Sequence, residues 1–321
     1  MTGLLVVCRK ELSDHFSSTR FILLFTMIMM VSFVTAYMVG ASLRDELQGM
    51  AKPTLVFLLL FTSTGKLFSL IQFIAFFGPL IGIVLGFDAI NKERSARTLS
   101  KLISQPIYRD AVINGKFLAG VAIITTMLLA IVLLISGLGL VLVGVVPGPE
   151  EIGRLVIYLI LSIFYISFWL GISILFSILF RSIATSALAA IACWIFFSFF
   201  VAIGAGILSD VIAPVDQNSV MNNPEQVIQH ERVRNVLSLF SPMTLYSEGT
   251  TAILDPMRKT TQTILLMGPM ERLSLSRFQS PLPLLQSVYL VFPHIISLIA
   301  ITALFFAISY IAFMRQEIRS T

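Results

Sequence analysis

Long apolar runs leave this chain few ways to fold. Residues 21–40, 67–87, 117–146 and 288–314 are apolar runs that match or exceed the roughly 20 residues needed to cross hydrocarbon. A further run, 155–208, is interrupted only by Arg181 and Ser182. It is too long for one crossing, so it must fold back near Arg181 and supply two spans. Backbone in hydrocarbon must satisfy its own hydrogen bonds, which a helix does. The expectation is an all-α integral membrane protein with six transmembrane helices. Composition agrees, with 12% charged residues against about 25% in a soluble domain and 57% hydrophobic.

Between the runs the chain is amphipathic or polar. Near the start, Leu5, Cys8, Leu12 and Phe16 recur at helical spacing while Arg9, Lys10, Glu11 and Asp14 fill other positions. That pattern predicts an N-terminal interfacial helix leading into the membrane. No removable signal peptide is apparent, and the first span serves as its own insertion signal. The polar link 43–66 contains an apolar insert, 55–61, too short to span. It is either re-entrant or laid along the outer surface. Residues 209–285 are polar enough to form an external helical segment between spans five and six. Within it Asn223, Pro224 and Glu225 make a helix start, and Ser241-Pro242 ends the stripe Val233, Val236, Leu237 and Phe240. A second short helix is expected over 243–254. The chain thus divides into 1–208, 209–285 and 286–321, the last holding span six and a short tail.

The segment 88–116 is the most informative polar stretch. Leu99, Leu102 and Ile103 share one face of a helix expected to begin near Asn91 and to stop at Pro106. Lys92, Glu93, Arg94, Arg97 and Lys101 occupy the other positions. Lying on water between two spans, its apolar stripe needs cover, either from lipid headgroups or from a groove in a cytoplasmic protein. Glu93-Arg94, Thr98-Leu99, Leu102-Ile103, Gln105-Pro106, Arg109 and Gly115-Lys116 together resemble the first cytoplasmic loop of ABC-2 type permeases, the membrane subunits of ATP-binding-cassette exporters. The family usually has Gly before the Thr, where this chain has Arg97. The segment 241–249 also resembles a stretch these permeases carry before their last span. The resemblance is nearest to permeases of nitrous-oxide-reductase maturation and of multidrug or bacteriocin-immunity export.

The resemblance implies a permease subunit in the cytoplasmic membrane of a prokaryote, paired as a homodimer or heterodimer. Each chain would receive one ATP-binding-cassette ATPase subunit, and ATP and Mg would sit on that partner. Glu93, Arg94, Thr98, Leu99, Leu102, Ile103 and Pro106 would form the coupling helix that the ATPase grips. The turn at Arg181 and Ser182 is either a second coupling point or a plain tight turn with an anchoring arginine.

Other features bear on the same question. Gly78, Gly82 and Gly86 recur every four residues, and such a stripe admits close helix approach, within the chain or at a dimer seam. Gly115-Lys116 is followed by Phe117 and preceded at the required spacing by Asp110, so no nucleotide-binding phosphate loop is present. No zinc motif or nucleophile elbow occurs, which leaves no catalytic residue and no metal ligand to name. Spans nearly free of carboxylates and cations disfavour the alternative, a secondary transporter or channel not coupled to ATP. The net charge of +5 reads as orientation in lipid, not as nucleic-acid binding. With six spans both termini share a side. Placing them inside puts twelve Lys or Arg on inner segments, against Arg44, Lys52, Lys66 and Arg154 on the short outer links.

That asymmetry is checked by labelling. With Cys8 and Cys193 replaced, cysteines at Lys101 and Arg319 should react in intact cells only with membrane-permeant thiol reagents. Cysteines at Asn222 and Arg258 should react with impermeant ones, and outside labelling of position 101 would reverse the topology.

Overall fold

The computed structural model describes residues 2–47, 55–62, 69–96, 108–214, 224–258 and 281–316. Among these there is no strand. In chain order the helices are α1 Thr2–Phe16, α2 Thr19–Glu46, α3 Leu59–Thr62 (entered through a 3-10 turn, Val56–Leu58), α4 Leu70–Gly86 and α5 Asn91–Ser95. They continue with α6 Arg109–Leu142, α7 Pro149–Leu179, α8 Ile183–Ile195, α9 Val201–Ile212, α10 Pro224–Ser238, α11 Pro242–Leu254 and α12 Leu284–Arg315. A π-helical turn, Phe196–Phe200, joins α8 to α9.

Six stretches are long and apolar enough to cross a membrane: α2, Leu70–Ser95, α6, α7, Ile183–Ile212 and α12. The protein is therefore an all-helical, multi-pass membrane protein. Span three begins at Arg109, earlier than the apolar run at 117, because its first two turns are buried against α1 rather than exposed to water.

Local sequence sets the helix starts. Ser69 Oγ accepts from the Gln72 backbone N–H at 3.2 Å, and the Gln72 side chain accepts from the Ser69 N–H at 3.1 Å. This capping box explains the neutral polar residue at the head of an apolar span. In α7, Gly148 precedes Pro149, and the Glu151 carboxylate accepts from the Gly148 N–H at 2.7 Å.

α7 is the central helix, packed against α4, α6, α8, α11 and α12. Tyr158, Tyr165 and Trp169 are fully buried along it. The glycine stripe of α4 lies on α7 of the same chain. A Cβ at Gly82 would sit 2.6 Å from the Ile166 carbonyl oxygen and 2.8 Å from the Leu170 nitrogen. At Gly86 it would meet Ser173 Cβ at 2.8 Å, and at Gly78 Ile166 Cγ1 at 3.1 Å. Pro79 inside α4 has no N–H, so the Ala75 carbonyl four residues earlier loses its helical donor. The Tyr165 hydroxyl donates to that carbonyl at 2.7 Å. Ser173 donates to Ile83 O at 3.0 Å, Thr302 to Phe164 O at 3.1 Å and Ser309 to Gly171 O at 3.0 Å. Small hydroxyls thus join α4 and α12 to α7, where apolar burial alone provides little drive in lipid.

The end at which α7 begins is here called distal, and the end bearing α1 and α5 proximal. At the distal end the 55–61 insert turns into the bundle, with Phe57 and Phe61 fully buried. The Phe57 N–H donates to Glu151 at 3.1 Å, and Phe61 meets the Tyr158 ring edge-on at 6.4 Å. The segment between spans five and six returns the same way. α10 packs along α9, and α11 sinks between α4, α7 and α12. Tyr246 of α11 stacks on Tyr165 at 4.4 Å, and its hydroxyl is 2.8 Å from Ser162 Oγ. Ser162 lies about 20 Å along α7 from Pro149 at 1.5 Å per residue, so α11 reaches far into the bundle. Fully buried Arg154 holds this arrangement together. It donates to Ile253 O at 2.7 Å, Ser287 Oγ at 3.1 Å, Glu150 at 3.0 Å and Leu282 O.

Gly82→Ala should lower stability by about 1–3 kcal/mol, because the added methyl meets backbone that cannot rotate away. Gly137→Ala, where nothing lies within 4 Å of the new carbon, should be neutral or stabilising. Thermal unfolding of the two purified variants in detergent compares them, and equal melting would remove the close-approach account.

Candidate functional site

The proximal face is where the sequence placed its partner-binding residues. α4 ends at Gly86, and Asp88 and Ile90 carry the chain into α5. The Ile90 and Asn91 N–H groups both donate to Ser177 Oγ of α7, at 3.0 and 3.1 Å. One serine thus satisfies two of the donors that a helix start leaves open. Asn91 Nδ2 donates to Ser182 O at 3.4 Å, and Arg94 Nη1 donates to Phe180 O at 3.4 Å. Residues 88–96 after span two and the turn after span four therefore form one joined block. Arg181 and Ser182 are exposed at its surface. The C-terminal end of α12 meets the same region, with Gln316 Nε2 donating to Ile178 O at 3.1 Å and Arg109 donating to Gln316 O at 3.4 Å.

Glu93 does not face outward with Arg94. Only 9% exposed, it places its carboxylate 2.9 Å from Lys116 Nζ and 3.8 Å from Lys10 Nζ. Lys116 also reaches Glu11 at 2.8 Å. This cluster ties α1, α5 and α6 together, and Glu93 is engaged inside it. α5 closes at Ser95, with the Ala96 N–H returning to Lys92 O at 3.0 Å. Thr98, Leu99, Leu102, Ile103 and Pro106 lie outside the described residues.

The cluster has electrostatic consequences. Burial pushes the Glu11 carboxyl upward, but the ammonium groups of Lys116 and Lys10 outweigh it and hold the group below its usual value. Burial lowers Lys10, yet Glu11 and Glu93 more than compensate and raise it. Burial, aided by the charges of Lys116 and Lys92, holds the His15 imidazole below its usual value despite Glu11 and Asp88 nearby. A half-open cavity of about 470 Å³ lies beside the cluster, between α1, the foot of α2 and α5.

Sequence reasoning passed over Lys10, Glu11 and Lys116 as site residues. It set Glu11 on the polar face of α1, opposite a stripe of Leu5, Cys8, Leu12 and Phe16. In the structure Val7 and Glu11 are the buried positions, while Leu5 and Phe16 are 65% and 47% exposed. The helix is rotated so that Val7 packs on Gly115 and Glu11 meets Lys116. The available signal was a lysine at the head of an apolar run, which demands a counter-charge nearby.

A family model described as ABC-2 family transporter protein matches residues 5–318. The chain belongs to the ABC-2 transporter family. No curated protein matches it. As an ABC-2 family member it is a membrane transport component, and the proximal block lies at the loop on which the sequence resemblance rested.

Replacing Lys116 with Met should cost about 3–5 kcal/mol, since Glu11 and Glu93 would lose a shared buried cation. The pH dependence has a fixed sign. A carboxyl depressed by folding contributes stability above its unfolded value, near 4.5, and loses it as the pH falls through the folded value. Melting of the wild type should therefore hold from pH 7 to about pH 5 and fall from there to about pH 3, and Lys116→Met should flatten that fall. A steeper acid loss in the variant would contradict this assignment.

Proposed function

We propose that this chain is the permease subunit of an ATP-driven exporter of a prokaryotic cytoplasmic membrane, with its proximal face and both termini in the cytoplasm. Two chains pair, and each receives one ATPase subunit at the 88–116 loop. The observation that carries this reading is the joined proximal block. Asn91 and Arg94 fasten the loop to the 180–182 turn, and Ser177 fastens it to α7. A force applied there passes directly to α4 and α7, whose glycine contact leaves little slack.

The division of labour follows from the residues. The chain has no phosphate loop, so ATP and Mg belong to the partner. Glu93 and Lys116 act inside the block and hold α1 and α6 to it. Arg94, Arg181 and Ser182 stand nearer its surface, and the Leu99, Leu102 and Ile103 stripe supplies the apolar contact. Cargo moves along the paired spans, and α11 with Arg154 forms the distal closure.

A second reading, ion-coupled transport, has one observation in its favour. His294 Nε2 of α12 lies 3.6 Å from Glu248 Oε2 of α11, and both belong to a bundle otherwise poor in titratable pairs away from its ends. Native purification separates the two readings, because only the first requires an ATPase subunit. The variant Leu102→Asp would set a carboxylate against the partner's apolar surface, commonly at a cost of several kcal/mol. It should insert normally, lose the ATPase subunit in mild detergent and lose transport. Lys101→Gln, a change at a rim charge worth about 1 kcal/mol or less, should retain the subunit. Equal retention by both variants would place the ATPase contact elsewhere.

A further inference from the structure

We propose that the proximal cavity binds the headgroup of a zwitterionic phospholipid. The argument rests on the charges that line it and on where it opens, and it does not depend on the ATPase reading. Its floor is the ion cluster already described: Lys10 and Lys116 against Glu11 and Glu93, at 2.8–3.8 Å. Those four charges satisfy one another. Its rim carries two more cations and two more carboxylates, Arg20 and Lys92 with Asp14 and Asp88.

The rim is held loosely. Arg20 and Asp88 are 3.3 Å apart, with the arginine side chain 68% exposed and the aspartate 17%. Among the described residues Asp14 pairs with Lys10 alone, at 3.4 Å, and its side chain is 48% exposed. Lys92 is exposed and has no ion-pair partner among the described residues. The cations of both pairs are well exposed, and pairs screened by water in this way contribute little, so a ligand can exchange into them at small cost. A purely anionic ligand would meet Asp14 and Asp88, and a purely cationic one would meet Arg20 and Lys92. A group carrying both signs satisfies both halves: its phosphate takes Arg20 and Lys92, and its ammonium takes Asp14 and Asp88. About 470 Å³ is within the range of small-ligand sites.

Placement selects a lipid over a soluble zwitterion. Thr19, Arg20 and Phe21, the first residues of α2, line the cavity. Immediately above them α2 exposes Ile22, Leu23, Met27 and Met30, so acyl chains have an apolar path beginning at the cavity mouth. Nothing equivalent would engage a headgroup without chains.

The test uses the full chain purified in detergent, with native mass spectrometry and thermal unfolding as readouts. Short-chain phosphatidylethanolamine should bind one per chain and raise the apparent Tm saturably by about 2–4 °C. Phosphatidylglycerol of the same chain length, glycerophosphoethanolamine and inorganic phosphate should each do markedly less. Lys92→Gln, which breaks no ion pair among the described residues, should weaken phosphatidylethanolamine about tenfold. Asp14→Asn should shift preference toward phosphatidylglycerol. A wild type that prefers phosphatidylglycerol would overturn the proposal. So would a full effect from glycerophosphoethanolamine or phosphate, which would show a soluble ligand, or unchanged binding by both variants.

Discussion

The contact between α4 and α7 is the one on which the other elements depend. At Gly82 the backbones approach until a single methyl would press on a carbonyl oxygen and an amide nitrogen of α7. In lipid, helices gain little by burying apolar surface against each other, so close packing and interhelical hydrogen bonds must carry association. Both occur here on one seam. The hydroxyl of Tyr165 occupies the acceptor that Pro79 leaves open at Ala75, and Ser173 reaches Ile83 about two turns further along. A proline that would weaken an isolated helix therefore becomes a docking point for its neighbour.

From that seam the two ends of the bundle are built by a shared device. At each end a buried cation joins elements that are distant in sequence. Lys116 gathers Glu11 and Glu93 at the proximal end, linking α1, α5 and α6. Arg154 gathers Glu150, Ser287 and two backbone carbonyls at the distal end, linking α7, α11 and the approach to α12. A buried charge is tolerated only with several well-placed partners, and both sites supply them. Between them the bundle uses tyrosines, serines and threonines, which hydrogen-bond without the desolvation cost of an ion. Among the described residues, and apart from His294 and Glu248, the interior is thus held mainly by neutral groups and terminated by ionic ones.

This arrangement gives the proximal loop mechanical leverage. Its start is pinned to α7 through Ser177 and to the 180–182 turn through Asn91 and Arg94. The interfacial helix α1 is pinned to the same block through Glu11. Movement of residues 88–96 is therefore not taken up locally. It is shared with α1, α4, α6 and α7, the rigidity that the proposed ATPase-driven reading calls for.

Residue periodicity and run length by themselves determined the fold class, because an apolar stretch of membrane length has few alternatives to a helix. Six spans, the fold-back at Arg181 and the helix start near Asn91 follow from that constraint and agree with the structure. The glycine stripe was legible as a surface for close approach, but a stripe does not name its partner. Only the tertiary structure set it against α7 of the same chain. The inward turn of Glu93 was hidden for the same reason, since its counter-charges come from residues far along the chain, Lys10 and Lys116. Helical periodicity set Glu11 on the polar side of α1. A buried lysine drew it inward, and a single strong ion pair outweighs the modest preference of one exposed face. Likewise the polar composition of 209–285 marked a departure from the span pattern, whereas Tyr246 and Arg154 decided that α11 packs among the spans. Pairings between distant residues are not written in local pattern. They arise only when packing brings the partners within reach.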